Sequence, residues 1–305
     1  MSHIPVLLKE VIDGLALKKG DIVLDATLGG GGHAAAICEK IGREGTLVGV
    51  DLDEEAVRRA KEKTAACAAT VHFTKENFRN LDVVLQKEGI ATIDKALFDL
   101  GMSSTEIEAS GRGFSFRRDE PLLMTFDSDP NYGALTAERI INTWSEEDIE
   151  RILREYGEER FARRIAETIV ARREEKKIER TGELAAIVNG CYPGRLRRGD
   201  SPAKTFQALR IAVNDELGAL EEGLKKAAEH LAPEGRIAVI SFHSLEDRIV
   251  KQYFRELAKD GFFAIITKKP ITASEEEIAA NPRSRSAKLR IIEKNKKRIV
   301  KLLNC

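Results

Sequence analysis

Long apolar stretches are missing from this chain of 305 residues. No run approaches the roughly 18 to 20 residues that a membrane-spanning helix needs. The N-terminal segment MSHIPVLLKEVIDGL carries acidic residues inside its apolar stretch, which is unlike a signal peptide. Low-complexity segments are also missing, and Gly (23) and Pro (8) are modest in number, which argues against disordered and fibrous classes. The composition therefore predicts a soluble, cytoplasmic globular protein that does not enter a membrane.

Cysteine is scarce. The four residues, Cys38, Cys67, Cys191 and Cys305, lie far apart and show no spacing typical of metal ligands. No metal site is predicted, and the cysteines are expected to be the reduced thiols of a cytoplasmic protein.

Net charge is absent, because 50 basic side chains balance 50 acidic ones. Taken alone, this disfavours a nucleic-acid partner, since phosphate binding needs positive charge. The charges are unevenly distributed, however: acids concentrate in 145–159, while positive charge gathers at 195–198 and beyond Arg283. Local basic patches can contact RNA in a neutral protein, so the composition does not exclude it.

Short β-branched runs alternate with helical stretches, which predicts parallel βαβ units. The predicted strands are 22–26, 46–50, 70–74, 95–100 and 236–242, followed by an antiparallel pair, 262–267 and 288–293. Asp53 is the expected N-cap of the helix after the second strand. Between residues 100 and 201 the strand signal disappears, and one long helix is predicted from Ser201-Pro202 to Pro233. We therefore expect a core formed by 1–104 and 201–305, interrupted by a mostly helical insertion, 105–200.

A glycine-rich segment, DATLGGGGH from Asp25 to His33, connects the first strand to the first helix, and the second strand is followed by Asp51. Glycines let the backbone approach a ligand closely, and an acid at this position can bind both ribose hydroxyls. The pattern predicts an adenosine-type ligand, with a flexible turn and a capping acid as the structural alternatives. A nicotinamide dinucleotide would need the G-x-G-x-x-G pattern, whereas consecutive glycines and a terminal hairpin resemble the seven-stranded, Rossmann-like fold of S-adenosylmethionine-dependent methyltransferases.

Seven motifs extend this resemblance over nearly the whole chain. They are HIPVLL from His3 with Glu10, DATLGGGGH from Asp25, DLGMSS from Asp99, RGFSFR from Arg112, TFQALRI from Thr205, SFHSLEDR from Ser241 and PRSRSAKLR from Pro282. In this order and spacing the chain resembles the bacterial small-subunit ribosomal RNA cytosine-N(4) methyltransferases, the RsmH/MraW family.

The resemblance implies S-adenosylmethionine as the cofactor. The implied contacts are Gly31, Gly32, His33, Asp51, Phe78, Asp99 and Glu106. Phe78 would form an apolar wall for the adenine ring, or would be an ordinary core aromatic. Glu106 stands where the family usually has Gln, and the segment 121–127 also departs from the family pattern.

Asp99, after the fourth strand, is the candidate catalytic residue. Its carboxylate could accept a hydrogen bond from the cytosine amine, which is a poor nucleophile, or it could hold the cofactor. His243, just beyond the fifth strand, could take the departing proton from the substrate side, or could be a loop histidine bonded to backbone.

The target base must be unpaired or flipped to meet the methyl group. Arg112, Phe114 and Phe116 could hold it, although the two rings could equally belong to the core. Arg197 and Arg198 are expected to face phosphate, as is the basic run from Arg283 to Lys301.

The predicted function is methylation of the exocyclic amine of one cytosine in small-subunit ribosomal RNA. Three alternatives remain: another acceptor on the same fold, an RNA-binding assembly factor with a vestigial pocket, and a nicotinamide oxidoreductase. The sequence leaves open whether the chain forms homo-oligomers.

Overall fold

A computed structural model of the protein describes residues 5–101, 110–127, 134–194 and 201–296. The chain divides into two compact units. The first unit consists of Met1–Gly101 and Leu217–Cys305, and the second is Met102–Glu216. The second unit therefore ends later than the boundary predicted at residue 200, because it includes the helix that follows Ser201.

The first unit is built on a seven-stranded sheet in the order β3-β2-β1-β4-β5-β7-β6. Its strands are β1 (Ile22–Asp25), β2 (Thr46–Asp51), β3 (Thr70–Lys75), β4 (Ile93–Asp99), β5 (Leu231–Ser241), β6 (Phe263–Ile265) and β7 (Lys288–Lys294). The first five are parallel, whereas β7 runs antiparallel to both β5 and β6. The predicted terminal antiparallel pair is confirmed, although β5 begins at Leu231 rather than at Arg236.

Helices cover both faces of this sheet. They are α1 (Leu8–Leu15), α2 (Gly32–Ile41), α3 (Glu54–Lys63), α4 (Leu81–Lys87), α10 (Glu216–His230), α11 (Ser244–Lys259) and the short α12 (Glu275–Ala280). Alternate strand residues point to opposite faces, so that Leu24 and Phe98 pack with α4, α10 and α11, while Val23 and Leu97 pack with α1, α2 and α3. Asp53 caps α3 as predicted, its carboxylate accepting a hydrogen bond from the Glu55 amide.

The strand order reverses between β1 and β4. β1 is bonded to β2 on one side and to β4 on the other, all three parallel. Loops leaving the carboxyl ends of such neighbouring strands diverge to opposite faces and open a crevice. Asp25, Asp51 and Asp99 are the last residues of β1, β2 and β4, so the fold brings three acids to this one edge.

The second unit is helical. Its described helices are α5 (Ala137–Thr143), α6 (Glu146–Glu155), α7 (Ala162–Glu175), α8 (Thr181–Gly190) and α9 (Ala203–Asn214). They enclose their own apolar core, to which Ile149, Ile165 and Leu209 belong. Gly157 lies in the predicted break between α6 and α7. None of the helices in the described ranges of either unit combines the length and apolar character needed to cross a bilayer.

The long helix predicted after Ser201 is wrong in one respect, because two helices, α9 and α10, occupy its place. Asp215 between them has a left-handed conformation (φ 47°), which a right-handed helix cannot contain. The Asn214 side chain accepts a hydrogen bond from the Phe126 amide and donates one to the Met124 carbonyl. The apolar spacing continues through the break, so periodicity alone could not reveal it.

The expectation of reduced thiols is wrong for two of the cysteines, because Cys38 and Cys67 are joined by a disulfide. Cys38 lies on α2 and Cys67 follows α3, two helices that pack side by side, and the Cα atoms are 5.8 Å apart. Because the two cysteines are 29 residues apart in sequence, their spacing did not indicate that they lie close together. Cys191 is a free, buried thiol, and Cys305 lies outside the described residues.

Ser145 offers a test of the second unit's stability. Its hydroxyl accepts a hydrogen bond from the Asp148 amide at 3.1 Å and caps α6. Ser145→Ala should lower the free energy of unfolding by about 1 kcal/mol, measured by denaturant titration. Ser145→Asp keeps a capping acceptor and should retain the stability. Equal losses in both variants would show that the cap is unimportant.

Candidate cofactor site

The glycine-rich loop after β1 turns back tightly before α2 begins. Gly29 and Gly31 have positive φ values of 48° and 71°. A Cβ atom on Gly31 would lie 2.7 Å from the Cα of Ala60 in α3, so a side chain does not fit there. The loop therefore combines a backbone conformation and a close approach that glycine alone allows.

Asp51 is tied to the same loop. One carboxylate oxygen accepts a hydrogen bond from the Gly29 amide and the other from the Asp53 amide, each at 2.9 Å. A carboxylate oxygen can accept more than one hydrogen bond, so this arrangement orients the group without using all of its capacity. The acid that was predicted to bind a ribose thus lies directly beside the glycines.

His33 and Asp99 form a buried pair whose protons can be counted. His33 Nε2 lies 3.1 Å from the carbonyl oxygen of Val6, which can only accept, so this nitrogen carries a proton. His33 Nδ1 faces Asp99 Oδ2 at 3.4 Å. Because two lone pairs would repel each other there, a proton must also lie between these atoms. Asp99 opposes the effect of burial and raises the pKa of His33, which favours an imidazolium paired with a carboxylate.

The other oxygen of Asp99 has no partner within the described part of the chain. Asp99 Oδ1 is buried and accepts no hydrogen bond from any described residue, while the backbone amide of Asp99 donates to the hydroxyl of Thr27 at 2.7 Å. Buried acceptors normally have a donor. An orphaned, oriented carboxylate oxygen at the carboxyl edge of the sheet is therefore suited to an ammonium or amine donor of a ligand.

Asp25 is the first residue of the glycine-rich segment, and its sequence position alone predicts no role for it. Its side chain is fully buried; Oδ1 accepts a hydrogen bond from the Thr27 amide at 3.2 Å, and no described residue bonds to Oδ2. Burial raises the pKa of this carboxyl to about 7. Neither Asp25 nor Thr27 could have been selected from sequence, because their significance depends on burial and on contact with β4.

Phe78 belongs to a 3₁₀ turn, Phe78–Asn80, that precedes α4. Its ring packs edge-on against Phe98 with centroids 5.7 Å apart, and a Cβ on Gly223 would lie 2.7 Å from it. The ring is therefore partly a core aromatic, which was the alternative to a contact with the cofactor. Its role toward the adenine ring stays a prediction.

His243 lies at the start of α11, where its Nδ1 bonds to the backbone, which supports the alternative of a loop histidine bonded to backbone. It is the N-cap of α11: Nδ1 accepts a hydrogen bond from the Glu246 amide at 3.4 Å, and Glu246 bonds back to the amides of Phe242 and His243. His243 Nε2 also lies 3.1 Å from Glu246 Oε1.

The predicted base-holding residues are engaged inside the second unit. Phe114 stacks on Phe126, and Phe116 packs edge-on against Phe206, both at 5.7 Å between centroids. Arg112 donates to the carbonyls of Thr125 and Phe126. These contacts support the alternative that the rings are core residues. The remaining predicted site residues, Glu106, Arg197 and Arg198, lie outside the described residues.

The basic run after Arg283 is more structural than predicted. Arg290 and Lys288 both pair with Asp247, at 2.6 and 3.4 Å. Lys294 donates to the Leu231 carbonyl at 2.6 Å, and burial lowers its pKa. These side chains bond to other groups of the first unit around β7. Their positive charge is therefore already partly neutralised or buried, and less of it can attract a phosphate. Lys297 to Lys301 lie outside the described residues.

The fold and the site together define a class. A doubly wound parallel sheet in which the antiparallel strand β7 lies between β5 and β6, with a glycine loop at the switch point, is the arrangement of S-adenosylmethionine-dependent methyltransferases. The description "MraW methylase family" belongs to the family model that matches residues 1–295, and this chain is a member of that family. S-adenosylmethionine is its cofactor.

Relatives are similar over nearly their full length. The Ribosomal RNA small subunit methyltransferase H of Heliobacterium modesticaldum is 48% identical over 96% of this chain and 98% of its own. The protein of the same name from a Paenibacillus species is 46% identical over 96% and 99%. Among solved structures, an rRNA methylase from Streptococcus thermophilus covers 96% of this chain and 99% of its own at 12% identity and a TM-score of 0.47, a similarity too distant to bear on the site.

The glycine loop can be tested with a matched pair of variants. Gly31→Ala combines positive φ with the contact to Ala60, whereas Gly29→Ala has positive φ but no atom within 4 Å of its new Cβ. Gly31→Ala should weaken S-adenosylmethionine binding more than about tenfold, and Gly29→Ala clearly less, because a left-handed alanine alone costs roughly 1–2 kcal/mol. Calorimetric titration measures both. Equal losses would contradict the importance of the close approach.

The burial of Asp25 predicts a pH-dependent stability. Because burial raises the pKa of Asp25 in the folded protein to about 7, its contribution to stability is fully present below the unfolded pKa and is lost as pH rises through the folded pKa. Between pH 5 and pH 8, wild type should therefore lose about 3 kcal/mol of unfolding free energy relative to Asp25→Asn. Denaturant titrations at several pH values measure the difference, and a constant difference would contradict the raised pKa.

Proposed function

We propose that this protein transfers the methyl group of S-adenosylmethionine to the exocyclic N4 amine of one cytosine in small-subunit ribosomal RNA. The observation that carries the proposal is the near full-length similarity to relatives named for small-subunit ribosomal RNA methylation. Because ribosomal RNA is the acceptor, the proposal implies a cytoplasmic enzyme. The partner is the small ribosomal subunit or its RNA.

Residues at the carboxyl edge of the sheet fit the cofactor. Asp51 can accept hydrogen bonds from the ribose hydroxyls, because both of its oxygens are oriented by amides of the adjacent loops. Gly31 and Gly32 let the backbone approach the ligand, and Phe78, in the 3₁₀ turn that follows β3, can border the adenine ring. Asp99 Oδ1 supplies a buried acceptor for the amino group of the methionine part.

When bound, S-adenosylmethionine supplies an electrophilic methyl on a positively charged sulfur. The protein's task is then to align the amine with that methyl and to exclude water. The cytosine amine is a poor nucleophile because its lone pair is delocalised into the ring. A hydrogen bond from this amine to Asp99 would localise the lone pair, which is the second role open to Asp99.

His33 holds Asp99 in place for either role. The imidazole is fixed by the Val6 carbonyl on one side and contacts Asp99 on the other. His33 is therefore a positioning residue in this proposal. His243 is not required as a base, because a methylated amine loses its extra proton readily to water.

The deciding experiment incubates the protein with labelled S-adenosylmethionine and undermethylated small ribosomal subunits, followed by nucleoside analysis of the RNA. Label in N4-methylcytidine supports the proposal. Label in another nucleoside or in protein would overturn the acceptor, and binding of subunits without transfer would favour an assembly factor.

Asp99→Asn tests the role of the carboxylate in the same assay. The amide keeps the shape but removes the charge and the pairing with His33, so kcat/KM should fall at least about 100-fold. Asp260→Asn, at the exposed end of α11, is the matched control and should retain the wild-type rate. Transfer at full rate by Asp99→Asn would remove Asp99 from both proposed roles.

A further inference from the structure

The buried carboxyl of Asp25 has no part in the cofactor contacts described above. It is the last residue of β1, its side chain has no exposed surface, and Oδ2 has no hydrogen-bond partner among the described residues. An ionised carboxylate with an unpaired buried oxygen is costly. Such a group either binds a proton or needs a nearby positive charge.

Thr27 connects this carboxyl to the reactive edge. The Thr27 amide donates to Asp25 Oδ1, and the Thr27 hydroxyl accepts from the Asp99 amide. The parallel register of β1 and β4, with Asp25 opposite Leu97, brings the loop residue Thr27 level with Asp99. The charge state of Asp25 therefore acts on the loop that fixes the backbone of Asp99.

Three charged groups surround the Asp25 carboxyl: His33 from α2, Asp99 from β4 and Asp51 from β2. His33 favours the ionised form, and the two acids oppose it. Because the proton count pairs the His33 imidazolium with Asp99, this one positive charge is shared between Asp99 and Asp25 in the cluster. Asp25 is therefore the member of this cluster whose negative charge a positively charged ligand would balance.

We propose that Asp25 is a positioning residue that couples S-adenosylmethionine binding to the release of a proton from its buried carboxyl. The cofactor brings a sulfonium and an ammonium charge to the edge where β1, β2 and β4 end. Nearby positive charge favours the ionised carboxylate, so the O–H bond of Asp25 breaks and the proton passes to solvent. The inference rests on the cofactor and not on the identity of the acceptor.

The pH dependence has a definite sign. Because burial raises the pKa of Asp25 to about 7, the free protein holds this proton below neutrality, and binding must displace it. Affinity for S-adenosylmethionine should rise with pH and level off above pH 7. Between pH 6 and pH 8 the expected gain is about tenfold for one linked proton.

Calorimetry of the full chain measures the coupling directly. S-adenosylmethionine is titrated at pH 6, 7 and 8 in buffers of different ionisation enthalpy, which gives the number of protons released. Wild type should release close to one proton at pH 6 and almost none at pH 8. Between pH 6 and pH 7, where the amino group of S-adenosylmethionine is largely protonated, Asp25→Asn should bind with no proton release and with a nearly constant dissociation constant.

Asp21→Asn is the matched control. Asp21 lies just before the opposite end of β1, is also buried, and has a pKa that burial raises, but it is bonded to the Lys18 amide far from the carboxyl edge. Its variant should keep the wild-type proton release. Release that persists in Asp25→Asn, or disappears in Asp21→Asn, would overturn the assignment.

A second measurement uses wild type alone and does not depend on whether a variant folds. Infrared difference spectra of wild type at pH 6 should lose a protonated-carboxyl band when S-adenosylmethionine is added. S-adenosylhomocysteine, which lacks the sulfonium charge, should displace less of the proton. Cofactor binding by wild type without proton release and without this spectral change would disprove the coupling, whereas failure to methylate cytosine would leave it intact.

Discussion

The site depends on one constraint of the sheet, the reversal of strand order between β1 and β4. Parallel strands must end at a common edge, and the loops that leave β1 and β4 must diverge to opposite faces. Three of the strands that meet there end in aspartate. Each acid by itself is a common strand-terminal residue. Their convergence is a consequence of topology, and it creates the local negative charge that a cationic cofactor needs.

The three acids are kept distinct by their surroundings. Asp51 is oriented by two backbone amides, Asp99 is paired with His33, and Asp25 is buried with one oxygen unpaired among the described residues. The different roles proposed for these similar side chains rest on these differences in surroundings. The glycine loop makes this possible because Thr27 and Gly29 bond to Asp25, Asp99 and Asp51 within a few residues of chain.

The net charge of the chain does not show which of its basic side chains are available to RNA. Several basic side chains that were predicted to contact RNA bond to other groups of the protein. Arg290 pairs with Asp247, and Arg112 donates to two backbone carbonyls. Aromatic side chains behave likewise, since Phe114 and Phe116 pack within the second unit. The number of basic residues therefore does not predict whether a protein binds RNA. A guanidinium that already donates its hydrogen bonds inside the fold has fewer left to donate to a phosphate.

Local signals in the sequence determined the strands of the sheet, the Asp53 cap and the glycine loop, since each depends on residues close together in the chain, and the missing helix pattern between the last two strands predicted that they pair antiparallel. Only the tertiary structure decided the break at Asp215, the pairing of Cys38 with Cys67 and the burial of Asp25. The physical reason is the same in each case. Backbone conformation, proximity and loss of solvent are set by contacts between residues distant in sequence, and a pattern of neighbouring residue types does not contain them.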